Sequence, residues 1–168
     1  MDYTVEPEES GPVGQERGQQ RPARCSVAPA AKLLADEILG AVRSRQSEAV
    51  EFLRKLVLVE TPTHEPHTQA VAFQQLSEGL RAAGLSCRRH PGRTSGGMLL
   101  ASWPRQRWSA LQLLLGHCDT VWPLGTLKTM PVEIDGSRMR GPGVYDMKCG
   151  VTQMVYALRV LRDLELEP

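Results

Sequence analysis

Leu-Leu-Leu-Gly-His-Cys-Asp-Thr-Val at 113–121 and Met-Arg-Gly-Pro-Gly-Val-Tyr-Asp-Met-Lys-Cys-Gly-Val at 139–151 decide the reading of this chain. The first stretch is an apolar run without a polar face, the pattern of a strand buried on both sides of an α/β sheet, and it ends abruptly in His117, Cys118 and Asp119. Side chains leaving the carboxyl ends of such strands converge on a crevice where ligands bind. His117 then offers one ring nitrogen to a metal. Asp119, two residues on and on the same side of extended chain, accepts the proton of the other nitrogen and fixes the tautomer. In the second stretch, Gly141 and Gly143 permit a sharp turn and a close approach to a neighbouring strand. Asp146 follows at the mouth of a helix, where unpaired amides favour a charged carboxylate with two oxygens able to bridge two cations. Taken singly, His117 also reads as a core histidine satisfied by a carbonyl, Asp119 as a turn former and Asp146 as a helix N-cap. Their order together favours the metal site, although catalytic zinc usually takes three protein ligands.

Working outward, 108–115 is the strand that delivers His117. The short 104–107 link pairs it in a hairpin with a strand over 97–103, and 85–90 is a further strand. Upstream, 32–43 reads as a short helix and 47–59 as a better one, with Val50, Leu53 and Val57 on its apolar face and Thr61-Pro62-Thr63 ending it. Thr68 is the expected N-cap of a helix carrying Phe73, Leu76, Leu80 and Ala83, with Gly84 as its stop. Downstream, Asp135-Gly136 joins a small hairpin, and Val151, Met154, Val155, Leu158 and Leu161 mark a last amphipathic helix. The fold expected is α/β, a three-layer arrangement with a mixed sheet flanked by helices.

Of the 168 residues, 1–30 hold Gly11, Pro12, Gly14, Gly18, Pro22 and Pro29 among polar side chains, and read as a disordered tail. The domain proper is expected over 31–168. Twenty Lys and Arg against 19 Asp and Glu leave a net charge of +1, which argues against a nucleic-acid partner. No apolar stretch approaches the roughly 18 to 20 residues that span a bilayer, so no membrane partner is expected. Cys25, Cys87, Cys118 and Cys149 lack metal-clip spacing and no apolar leader precedes them, which fits a soluble cytoplasmic protein. Cys118 is expected to pack inside the sheet. His64 and His67 read as surface residues and His90 as a turn residue. Gly141-Pro142-Gly143 as a phosphate cradle is disfavoured, because a carboxylate rather than a lysine stands at the helix mouth.

The two stretches, in this order and at this interval, resemble the aminoacylase and glutamate-carboxypeptidase family of di-zinc metallopeptidases. The link over 122–131 and the Asp135-Gly136 hairpin are similar as well, and a weaker likeness reaches back to about Ser47. The resemblance implies that His117 ligates one zinc, that Asp146 bridges both, and that Asp119 is the catalytic carboxylate orienting His117. At Cys149, where relatives commonly carry glycine or alanine, a small buried thiol is preferred to a third ligand. The activity implied is hydrolysis of an amide next to a carboxylate, on a peptide or N-acyl amino acid substrate. The family's glutamate pair, its remaining ligands and its smaller inserted domain, which mediates a homodimer in the complete enzyme, are not assigned in this chain. The chain is therefore expected to be an N-terminal portion of the catalytic domain, inactive alone, with weak zinc binding or none. The alternative is a non-catalytic truncated product acting as a binding module. An unfinished sheet also predicts marginal stability or self-association.

Overall fold

The computed structural model describes residues 29–104 and 112–166. Four helices, α1 (Pro29–Ser44), α2 (Gln46–Val57), α3 (Ala70–Ala82) and α4 (Cys149–Asp163), combine with four strands, β1 (Ser86–His90), β2 (Met98–Ser102), β3 (Glu133–Asp135) and β4 (Arg138–Arg140). The α/β class is borne out. Among the described residues the strands form two antiparallel pairs, β1–β2 and β3–β4. A parallel bridge between Pro62 and Thr120 adds a third point of pairing. The tail expected over 1–30 lies outside the described residues except for 29–30, which begin α1. Among the described residues, no helix is long and apolar enough to cross a membrane.

The core forms where the apolar stripes of α2, α3 and α4 face one another. Leu56, Ala72, Phe73, Leu76, Cys118, Val155 and Tyr156 make one buried cluster, and each large apolar side chain hidden there contributes about 1.5–3 kcal/mol. The three helices meet at Gly79, where a Cβ would stand 3.0 Å from both Phe52 and Val155. A smaller cluster of Ala83, Leu85 and Leu158 continues the core beneath β2, with Ala101 and Trp103 against it. Gly84 stops α3 as expected: at φ +86° its N–H donates to Arg81 O (2.8 Å), and Leu85 N–H donates to Leu80 O (3.1 Å), which satisfies two terminal carbonyls. Thr68 is not the N-cap. It lies inside a 3₁₀ turn over Pro66–Gln69, and its hydroxyl donates to Glu65 O (2.7 Å).

The strand expected over 108–115 needs correction. Residues 104–107 reach into, and 108–111 lie within, the part outside the described residues, while 112–115 carry no ladder. Leu113, Leu114 and Leu115 are 73%, 54% and 79% exposed. A strand is buried on both faces only when neighbouring strands flank it and helices cover it. Among the described residues only the bridge at Thr120 pairs this segment, and that bridge lies beyond its apolar part.

Candidate metal centre

Extended chain from Gly116 to Thr120 and the glycine turn before α4 together build the site. Thr61-Pro62-Thr63, expected only to end a helix, is a short strap beside the first of these. Thr120 N–H donates to Thr61 O (2.8 Å) and Thr63 N–H donates to Thr120 O (2.9 Å). The buried Thr61 hydroxyl donates to Cys118 O (2.7 Å). Cys118 points inward, as the alternation of extended chain requires, and burial pushes its thiol up to about 11. His117 and Asp119 point the other way, outward.

The glycine turn passes close to this segment. Gly143 has φ +73° and its Cβ would lie 2.5 Å from Thr120 Cγ2, so both conformation and space require glycine. Asp146 follows in extended conformation, with φ −119° and ψ 101°. It does not cap α4: the cap position is Lys148, which makes no side-chain capping bond. Instead, Asp146 Oδ1 lies 3.1 Å from His117 Nε2. The other ring nitrogen, Nδ1, lies 3.1 Å from Asp119 O and 3.3 Å from Asp119 Oδ1. The structure thus brings together all three residues singled out from the sequence.

Both imidazole nitrogens face only acceptors. With the Nδ1 proton held by Asp119, Nε2 presents a lone pair beside a carboxylate oxygen, an arrangement that asks for a proton or a cation between them. Two ligands of one tetrahedral zinc lie roughly 3.4 Å apart, from metal–ligand distances of about 2.0–2.2 Å, so the observed 3.1 Å fits a shared ion. The Asp146 side chain is 80% exposed, which leaves the position open to solvent. Among the described residues no group of three or more His, Cys, Asp or Glu converges to hold a metal. Cys149 is half-buried and its sulfur accepts from Gln153 (3.4 Å). His64 and His67 are exposed.

Two neighbours of the site were not singled out from the sequence. Glu60 accepts the backbone N–H groups of Leu127 and Gly125, both at 2.9 Å. These bonds, the Leu127 amide foremost, hold its carboxyl below the usual range against the opposing effect of burial. Glu60 thereby pins the link between the two motifs. Lys148 is 1% exposed and donates from Nζ to Val59 O (2.7 Å). Burial lowers its ammonium to about 8, with Cys118 and Glu60 acting against that shift. Lys148 lies at helical spacing from the partly buried Val151 and the buried Thr152 and Val155, a signal that could have placed it inward.

Residues 113–168 match the family described as Peptidase family M20/M25/M40. Carboxypeptidase G2 of Pseudomonas sp. (strain RS-16) is 29% identical to this chain over 127 residues, covering 73% of the chain and 30% of that protein. The chain thus spans about 30% of the length of the curated relative it matches. The resemblance read from the two motifs is borne out by both comparisons.

Proposed function

Taking the M20 peptidase likeness as premise, we propose that this chain supplies the first zinc-binding half-site of a metallohydrolase. The reaction class is hydrolysis of an amide next to a carboxylate, on a peptide or an N-acyl amino acid. The observation that carries this reading is the 3.1 Å approach of His117 Nε2 to Asp146 Oδ1 from two separate motifs. His117 would hold one zinc through Nε2. Asp146 would share its two oxygens between two zincs. Asp119 would keep the ring oriented by accepting from Nδ1. Zinc, when bound, lowers the pKa of a water ligand and polarises a carbonyl. Two ligands leave such an ion weakly held, so the chain alone binds zinc loosely and does not turn over substrate. A cytoplasmic location and, for the complete enzyme, a homodimer belong to the same proposal.

Equilibrium dialysis against zinc, paired with an assay of N-acyl amino acid hydrolysis, tests the reading. Expected are weak, reversible uptake that drops at least about 10-fold in His117→Ala or Asp146→Asn and hydrolysis at the level of buffer. Uptake indifferent to both substitutions overturns the metal assignment. Robust hydrolysis that disappears with His117→Ala keeps the enzyme class and overturns the inactivity of the chain alone.

The exposure of Leu113, Leu114 and Leu115 favours a second reading, a non-catalytic binding module acting through that surface. Sedimentation that shows a monomer at every concentration, unchanged by Leu113→Ser with Leu115→Ser, counts against it.

A further inference from the structure

We infer that Thr63 is a positioning residue for this centre: its hydroxyl sets the Asp119 carboxylate and, through it, the His117 ring. Thr63 Oγ1 lies 2.7 Å from Asp119 Oδ2 and 3.1 Å from Thr120 O. The hydroxyl has one proton for two acceptors, and the charged, nearer carboxylate takes it. With Oδ2 tied to Thr63, the other oxygen of the same carboxylate stands 3.3 Å from His117 Nδ1. The relay therefore runs Thr63, Asp119, His117, and ends at Nε2 beside Asp146.

The strap gives this hydroxyl a fixed origin. The two backbone bonds between 61–63 and Thr120 leave Thr63 little freedom to move relative to Asp119. Thr63 is exposed, and its side-chain bond competes with water, so it adds little to stability. Its consequence lies in orientation. A carboxylate held at one oxygen no longer swings about its Cβ–Cγ bond, and a ring whose Nδ1 partner is fixed keeps Nε2 aimed at one place.

The relay is independent of any metal, while its consequence for a cation rests on the proposed function. The test uses the 168-residue chain with Thr63→Val, which keeps the branched shape, and Thr63→Ser, which keeps the hydroxyl. The first readout is the imidazole ¹⁵N spectrum of His117 without metal. Wild type and Thr63→Ser should show the same Nδ1–H signal, while Thr63→Val broadens or shifts it and leaves amide signals of α3 and α4 in place. The second is zinc affinity, which should fall about 3- to 10-fold in Thr63→Val, less than the 10- to 100-fold of a residue bonded directly to a metal ligand, and recover in Thr63→Ser. If Thr63→Val melts early, Thr63→Ala against Thr63→Ser supplies the same comparison. An unchanged His117 spectrum in a folded hydroxyl-less variant overturns the inference. Wild-type chain that takes up no zinc at His117 overturns the proposed function instead, and the metal-free spectra still decide the role of Thr63.

Discussion

Around α4, Leu56, Val57, Leu76 and Val155 are at most 5% exposed, whereas Leu113, Leu114 and Leu115, equally apolar, are more than half exposed. The helical residues recur at intervals that put them on one face, and three such faces pack together, although α3 ends at Ala82 and α4 begins only at Cys149. The leucine run has no such complement among the described residues, where the bridge at Thr120 pairs only the segment that follows it. Apolar sequence marks surface that needs covering; periodicity tells which face it is, and the fold alone supplies the cover.

The largest effect that sharpens this contrast is Leu56→Ala, expected to cost about 2–5 kcal/mol by cavity formation in urea unfolding. A loss below about 1 kcal/mol would break the comparison on the helical side. Next stands Gly143→Ala, at the contact between the two regions. A left-handed backbone and a Cβ 2.5 Å from Thr120 Cγ2 should together cost about 2–4 kcal/mol, beyond the strain of the backbone alone. It should also disturb the His117 resonances, because the turn carries Asp146.

A pH series probes the buried groups that join the regions. Lys148 titrates near 8 in the folded chain and near 10.5 when unfolded. Between these values the unfolded state binds the extra proton, so stability rises with pH as the penalty of a buried ammonium is relieved. Cys118 acts oppositely: its thiol titrates near 9 unfolded and about 11 folded, so stability falls over that window. The free energy of urea unfolding should therefore climb from pH 8 to 9, by about 1 kcal/mol, and then level off. Cys118→Ala should let the climb continue toward pH 10.5, and Lys148→Met should remove it. The smallest effect belongs to Leu113→Ser with Leu115→Ser: stability within about 0.5 kcal/mol of wild type, with less concentration-dependent association by sedimentation.

The helices, the strands β1 and β2 and the β3–β4 hairpin were legible because their signals are local, but β2 pairs with β1 rather than with the expected strand over 108–115. The 3.6-residue stripe of α4, the glycine after α3 and the Asp135-Gly136 turn each act within a few residues. The β3–β4 turn does centre one residue later, on Gly136 and Ser137. His117, Asp119 and Asp146 were legible as a set, since alternation along the chain and a glycine turn constrain where their side chains go. The strap and its partners were not. Thr63 matters because Thr120 lies beside it in space, and Glu60 because Gly125 and Leu127 turn their amides toward it. Residue type alone carries no trace of those pairings. Lys148 sits between these cases: its helical phase pointed inward, but its charge argued for the surface.

The metal proposal requires His117 and Asp146 to grip one cation together. Its most direct test follows the imidazole ¹⁵N signals of His64, His67, His90 and His117 as zinc is added to the metal-free chain. The predicted result is a saturable change at His117 Nε2, with Nδ1 still protonated, that vanishes in Asp146→Asn. Zinc taken up first by His64 or His67 while His117 stays unmoved, or a His117 response indifferent to Asp146→Asn, would contradict it.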